Sequence, residues 1–147
     1  MRVNKRFLIA ALASVAACHT STETPGGSSD LDVNRQRWAD QKLSGYEFTY
    51  NRLCFCVPTG PVRVSVRDGV VVGVTDIASG RTLDPRGFLT VDSLFTIISH
   101  GIANHYAAMR VTYDSTMGYP REIYSDSSLQ IADDEVTYTV KDLVSSR

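Results

Sequence analysis

The sequence lacks the features by which several large classes of protein are recognised. Basic and acidic side chains nearly balance, with 15 Lys and Arg against 16 Asp and Glu, so no basic stripe for nucleic acid is indicated. No apolar run reaches the ~20 residues that a transmembrane helix needs. A nucleophile elbow, a phosphate-binding loop and a Cys-x-x-Cys pair are all absent from the sequence. The sequence therefore predicts no catalytic residue, no cofactor and no nucleic-acid partner.

The first residues have the pattern of a secretory signal peptide. Arg2, Lys5 and Arg6 form a basic start, and Phe7–Ala17 follows as a charge-free, apolar run of 11 residues. The apolar core of a signal peptide is ~7–15 residues long. The run ends in Val-Ala-Ala directly before Cys18, and this arrangement resembles the lipobox of bacterial lipoproteins.

The lipobox resemblance implies a membrane anchor on Cys18. In the lipoprotein pathway a diacylglycerol is attached to the cysteine sulfur, the chain is cut before that cysteine, and the new amine receives a fatty acyl chain such as palmitate. Several acyl chains anchor a protein stably, whereas a single chain is marginal. We therefore expect a signal peptide over residues 1–17. The alternative is an ordinary secretory signal that is cut after Ala17 and leaves an unmodified thiol.

Residues 18–30 are expected to be the lipidated cysteine and a flexible tether. Ser, Thr, Gly and Pro dominate this segment, and none of its side chains could anchor a core. His19 stands where an aspartate retains enterobacterial lipoproteins in the inner membrane, so the outer membrane, facing the periplasm, is favoured. Loss of residues 1–17 leaves 12 basic against 16 acidic side chains, a formal charge of −4.

Residues 31–147 are predicted to form a single α+β domain. Asp30 or Asp32 is expected to cap a first helix that ends at Leu43, and Thr90 a second helix from Val91 to Tyr106. Apolar and polar residues alternate over 46–51, 62–67, 70–75, 109–114, 121–126 and 135–144, and residues 77–89 are expected to be loop.

The order of these elements is α-β-β-β-α-β-β-β. Asp68-Gly69 joins two of the alternating runs and indicates a hairpin. Alternation favours one antiparallel sheet of about six strands, with one face in water and two helices on the other. Trp38, Phe95 and Ile98 are expected in the core between helices and sheet.

Cys54-Phe55-Cys56 carries the chemistry that is most distinctive in this domain. Both sulfurs leave the same face of an extended strand, and the bacterial envelope is oxidising. A Cys54–Cys56 disulfide is therefore our first expectation. A fully extended backbone places the two Cα atoms about 6.5–7 Å apart, the upper limit for a disulfide, so the strand has to bend there. The alternative without a metal is two unreactive, buried thiols.

A soft-metal site is the other alternative for the two cysteines. Two thiolates on one face suit Cu(I), whereas a closed zinc site needs about four ligands. His100 and His105 are five residues apart, about 140° around a helix, and so do not form a ligand pair. The acidic run Asp133-Asp134-Glu135 lacks the spacing of a calcium loop and is expected to be a solvated turn. We therefore predict no metal site.

The globular part resembles a known family over roughly residues 35–144. Its Cys-Phe-Cys and Gly-Tyr-Pro motifs are the most specific. The residues that carry the resemblance are Trp38, Tyr46–Tyr50, Cys54–Cys56, Val62–Val70, Leu94-Phe95, Tyr113-Asp114, Gly118–Pro120, Asp126 and Asp133–Glu135. The family is one of small bacterial lipoproteins described only as a domain of unknown function, number 6174. The resemblance implies an envelope lipoprotein and brings no catalytic residue with it.

Two functions from different classes remain as expectations. The first is a non-enzymatic module that binds a protein or peptide through the open face or an edge of its sheet. The second is a thiol-redox or copper-handling lipoprotein that uses Cys54 and Cys56. The polar side chains expected on the open face are Glu47, Thr49, Asn51, Arg63, Ser65, Arg67, Arg110 and Thr112.

Anchoring gives the first testable prediction. Cys18→Ser removes the only cysteine at the lipobox, so the variant is expected as uncleaved precursor or as soluble protein. Membrane fractionation and mass spectrometry of the N-terminal peptide measure this. A wild-type mature protein that begins without a lipid on Cys18 would contradict the prediction.

Overall fold

Two helices and seven strands make up the part of the chain that the computed structural model describes, residues 27–56 and 59–146. The predicted signal peptide, Cys18 and residues 19–26 of the predicted tether lie outside the described residues. Residues 28–30, which were expected to belong to the tether, form the start of the first helix. The elements are α1 Ser28–Ala39, β1 Gly45–Cys54, β2 Thr59–Arg67, β3 Val70–Asp76, β4 Thr82–Leu83, α2 Val91–Ala103, β5 Ala108–Tyr113, β6 Pro120–Asp126 and β7 Val136–Ser145.

All the strands belong to one antiparallel sheet in the order β4-β3-β2-β1-β7-β6-β5. The predicted α+β class and antiparallel sheet are confirmed, but the strand number is seven rather than six. The extra strand is β4, which pairs only with Val74 and Thr75 and lies in the segment expected to be loop. A strand of two residues is too short to show an alternating pattern, so the sequence could not reveal it.

The hairpin between β2 and β3 follows directly from Asp68-Gly69. Both residues have positive φ, 49° and 75°, as the tightest two-residue hairpin turn requires. Arg67 and Val70 are paired on either side of the turn. The predicted hairpin is therefore confirmed, with its turn at Asp68-Gly69.

One core lies between the helices and a single face of the sheet. Tyr46, Phe48 and Tyr50 are buried from β1, because every second side chain of the strand points the same way. Trp38 from α1, and Phe95 and Ile98 from α2, belong to the same core. The predicted burial of these three helix residues is confirmed. Neither described helix has the length and hydropathy of a membrane-spanning segment.

The bounds of the helices differ from the prediction. The first helix begins at Ser28 after Gly27, without a side-chain cap, and not after an aspartate. It ends at Ala39 rather than Leu43, because the chain turns through a left-handed residue at Lys42, with φ 50°, to enter β1. The local sequence predicted that the helix continues beyond Ala39, but the path of the chain into β1 ends the helix earlier.

The second helix begins where the sequence indicates. The Thr90 hydroxyl accepts a hydrogen bond of 3.1 Å from the Ser93 amide, so the predicted cap is confirmed. The helix ends at Ala103, three residues before the expected Tyr106, because His105 adopts a left-handed conformation with φ 51°. This residue redirects Tyr106 away from the helix surface that the periodicity predicted.

Two buried tyrosines and one half-buried tyrosine give a prediction for alkaline stability. Burial raises the pKa of Tyr46, Tyr50 and Tyr113 from 10 to about 12. The native state therefore holds protons that the unfolded chain releases above pH 10, and the free energy of unfolding falls as the pH rises from 10 to about 12. Below the unfolded pKa this contribution to stability is fully present.

Tyr50→Phe tests this directly, with Tyr46→Phe as its matched control. The Tyr50 hydroxyl is buried without a hydrogen-bond partner among the described residues, whereas the Tyr46 hydroxyl accepts from the Val91 amide at 3.1 Å. At neutral pH, Tyr50→Phe is expected to leave stability unchanged or higher, and Tyr46→Phe to lower it by about 1 kcal/mol. In both variants the free energy of unfolding, measured with urea, should fall less steeply as the pH rises above 10. An unchanged decline in both would contradict the assignment.

Candidate functional site

The cysteine pair lies at the end of β1, where the strand bends. The Cys56 amide donates a hydrogen bond of 2.8 Å to the Cys54 carbonyl, which closes a turn around Phe55. The bend reduces the Cα separation of the two cysteines to 5.2 Å, well inside the range of a disulfide. Their sulfurs lie at disulfide distance. The backbone therefore bends as the expected disulfide requires.

The surroundings of the pair are open rather than buried. Cys54 is half-buried and Cys56 is exposed, so the alternative of two buried thiols is wrong. Within residues 27–56 and 59–146, no group of three or more His, Cys, Asp or Glu side chains is placed to hold a metal ion. The neighbouring apolar side chains of Leu53 and Phe55 are 67% and 81% exposed.

The open face of the sheet carries the polar residues that the sequence predicted there. Cross-strand pairing puts Thr112 beside Glu122, Glu122 beside Thr139, and Thr139 beside Asn51, so one polar row crosses four strands. Pairing likewise sets Thr49 beside Arg63 and Glu47 beside Ser65. The predicted face is therefore continuous in the folded sheet.

Several polar side chains of this face already contact one another through hydrogen bonds or a cation–π interaction. Ser65 donates to Glu47 at 2.8 Å, and Thr49 donates at 3.1 Å to Asp142, the left-handed residue at the irregularity in β7. The Arg110 guanidinium lies 4.1 Å from the centre of the Tyr124 ring. These contacts satisfy much of the polar face internally.

A groove lies at the end of the sheet where β6 ends and β7 begins. This end also holds Cys54, because Cys54 pairs with Val136, the first residue of β7. We call it the cysteine end of the sheet. The groove has a volume of about 400 Å³ and is lined by Thr96, Ile97, His100, Tyr106, Ser125, Ser127, Asp134, Val136 and Tyr138.

Asp134 supplies the carboxylate of the groove. Ser127 donates a hydrogen bond to Oδ2 of this carboxylate, while Oδ1 is buried without a partner in the described part of the chain. On the opposite wall, the Tyr106 hydroxyl lies 3.2 Å from His100 Nδ1. Asp133, with φ 68°, directs the chain so that Asp134 enters the groove.

The predicted solvated acidic turn is therefore only partly correct. Asp133 and Glu135 are exposed, but Asp134 is half-buried in the groove. The sequence shows only a polar run at this point. Nothing in it indicates that α2 will pack against β5 and β6 and form one wall of the groove that holds the middle carboxylate.

Four strongly exposed apolar side chains lie at the cysteine end. Leu129 and Ile131, in the connection from β6 to β7, are 81% and 56% exposed. They come from the connection that also supplies Ser127 and Asp134 to the groove. Together with Leu53, on the open face near the end of β1, and Phe55, in the bend that follows, they form what we call the apolar rim. Sequence analysis missed this rim, since its members come from two parts of the chain that are far apart.

The comparison with protein families covers the whole described fold. A model described as "Family of unknown function (DUF6174)" matches residues 30–145. The chain belongs to the DUF6174 family. No curated protein and no solved structure gives a significant match to the chain.

The DUF6174 match begins in α1 and ends with the last residue of β7. It therefore includes the cysteine pair, the groove and the apolar rim. The predicted family membership is confirmed, and the family description assigns no activity.

The cysteine pair gives a testable prediction for this DUF6174 protein. Thiol titration of the denatured, mature, oxidised protein should find no free thiol when Cys18 carries its lipid. The Cys54→Ser, Cys56→Ser double variant should change the free energy of unfolding by no more than about 1 kcal/mol, because a bridge across two residues restricts the unfolded chain little.

Elemental analysis provides the control for this experiment. Two free thiols with stoichiometric copper or zinc would overturn the disulfide and establish the metal alternative. Two free thiols without metal would show that the sulfurs are reduced in the native protein.

Proposed function

We propose that this protein is a lipid-anchored module of the bacterial cell envelope that binds a protein or peptide and catalyses no reaction. Its anchor is the lipid on Cys18, and its location is the outer membrane, facing the periplasm. The observation that carries the binding role is the apolar rim, Leu53, Phe55, Leu129 and Ile131, at the same end of the sheet as the groove.

The rim differs from scattered exposed apolar residues because its four members lie at one end of the sheet. Single apolar side chains are common on protein surfaces, whereas several at one place are typical of interaction surfaces. Phe55, which is 81% exposed, has the size and shape of an interface anchor. The bend at Cys54–Cys56 holds its backbone, so less conformational entropy is lost when a partner binds.

The rim is a better candidate for the binding surface than the open face. The hydrogen bonds from Ser65 to Glu47 and from Thr49 to Asp142 already occupy polar groups of that face. A partner there would have to replace these bonds at little net gain. The edges of the sheet are short, since β4 has two residues and β5 has six.

A thiol-redox or copper-handling role is the second candidate. It is favoured by the accessible position of the paired sulfurs, which line a shallow depression together with Phe55. An exposed disulfide can be attacked by an external thiolate, and two reduced thiolates suit Cu(I). In this case Cys54 and Cys56 act chemically rather than by holding the bend.

Photo-crosslinking in the native envelope tests the binding role. A photoreactive residue at Phe55 or Leu129 is expected to capture a discrete envelope protein or peptide. The same residue at Val144 is the control, because Val144 is 54% exposed but pairs with Glu47 at the opposite end of the sheet. Phe55→Ser should weaken the captured complex about 30-fold, the loss of ~2 kcal/mol that is typical of an anchor side chain.

The outcomes separate the candidates. Capture from the open-face position Thr112 but not from Phe55 would overturn the proposed surface. Retention of binding in Phe55→Ser, with loss in the Cys54→Ser, Cys56→Ser variant, would establish the thiol-redox alternative.

A further inference from the structure

The groove at the cysteine end contains a single carboxylate, and the other titratable groups that line it are His100, Tyr106 and Tyr138. Asp134 Oδ2 receives the Ser127 hydroxyl, but Oδ1 is buried and has no hydrogen-bond partner among the described residues. No Lys or Arg is among the residues that line the groove. Burial of a carboxylate oxygen is costly unless a donor, preferably a charged one, completes it. The groove therefore offers a carboxylate with which a cationic group of a ligand can form an ion pair.

The side chains in the walls of the groove indicate which kind of chemical group carries the cationic group of the ligand. Ile97 and Val136 supply aliphatic surface, and Tyr106 and Tyr138 supply aromatic rings. Aromatic faces attract a cation, and apolar walls favour a methylene or aromatic stem. A volume of about 400 Å³ accommodates a group of this size.

We propose that the groove binds a primary ammonium group on an apolar stem, with Asp134 as its counter-ion. This inference rests on the proposed binding function, because it names the chemistry that the partner presents to the cysteine end. The ammonium pairs with the Asp134 carboxylate, and the stem lies against Ile97, Val136 and Tyr138. A lysine side chain, a free peptide N-terminus and a small amine all present this chemistry.

Neutral and metallic ligands fit the groove less well. A sugar hydroxyl could donate to Oδ1 but would leave the charge of the carboxylate uncompensated. A divalent cation requires several oxygen ligands, and the groove brings only one carboxylate.

Calorimetric titration of the full mature chain with phenethylamine tests the inference, with 2-phenylethanol as the neutral analogue. The amine is expected to bind and the alcohol to bind at least tenfold more weakly. Asp134→Asn should reduce the affinity for the amine at least tenfold. Asp133→Asn is the matched control, because it removes the same charge one residue away, at an exposed position where asparagine accepts the observed positive φ.

A second variant keeps the test decisive if Asp134→Asn fails to fold. Thr96 is exposed on α2 and lines the groove, so Thr96→Lys can place an ammonium beside Asp134 with little effect on packing. This variant should lose phenethylamine binding at least tenfold. Equal binding of the amine by wild type, Asp134→Asn and Thr96→Lys, or equal binding of the alcohol, would overturn the inference.

Further titrations distinguish the source of the ammonium. Nα-acetyl-lysine methylamide presents only the side-chain amine, and phenylalanine amide presents only the N-terminal one, so the tighter ligand identifies the source. Weak binding of both beside tight binding of phenethylamine would assign the groove to small amines. Failure of every amine would refute the groove chemistry alone, since crosslinking at Phe55 tests the proposed function without it.

Discussion

The structure depends on the aromatic row that β1 buries. Tyr46, Phe48 and Tyr50 leave the same face of the strand, and β1 lies in the middle of the sheet between β2 and β7. The Tyr46 ring contacts Trp38 of α1 with 5.1 Å between ring centres, and its hydroxyl accepts the Val91 amide at the start of α2. One strand therefore sets the positions of both helices, because a single tyrosine contacts each of them.

A second aromatic contact holds α1 from the other half of the chain. Tyr119 lies edge-on to Trp38, with 6.4 Å between ring centres. Gly118 precedes it with φ 82°, and a Cβ at this glycine would lie 2.5 Å from the Asn34 carbonyl oxygen. The Gly-Tyr-Pro motif thus allows the β5–β6 connection to approach the helix backbone. This close approach gives a physical reason for a motif that the sequence shows only as a pattern.

The position of the candidate site follows from the pairing of β1 with β7. Cys54 at the end of β1 pairs with Val136 at the start of β7, so the connection that precedes β7 must reach the cysteine end. This connection brings Leu129, Ile131 and Asp134 to the place where the cysteines bend the chain. The exposed rim and the buried carboxylate are therefore two consequences of one strand pairing.

The sequence by itself determined the features that depend on neighbouring residues. Alternation predicted the six longer strands, Asp68-Gly69 predicted the hairpin, and Thr90 predicted the start of α2, because each signal acts within a few residues. The bend at the cysteine pair was likewise foreseeable from chain geometry. The groove was not, because His100 and Asp134 are 34 positions apart in the sequence and line one groove only when α2 packs against β5 and β6 and β7 pairs with β6. Whether a polar side chain is solvated, as Asp133 is, or enclosed, as Asp134 is, depends on what packs over it, and only the tertiary structure decided that.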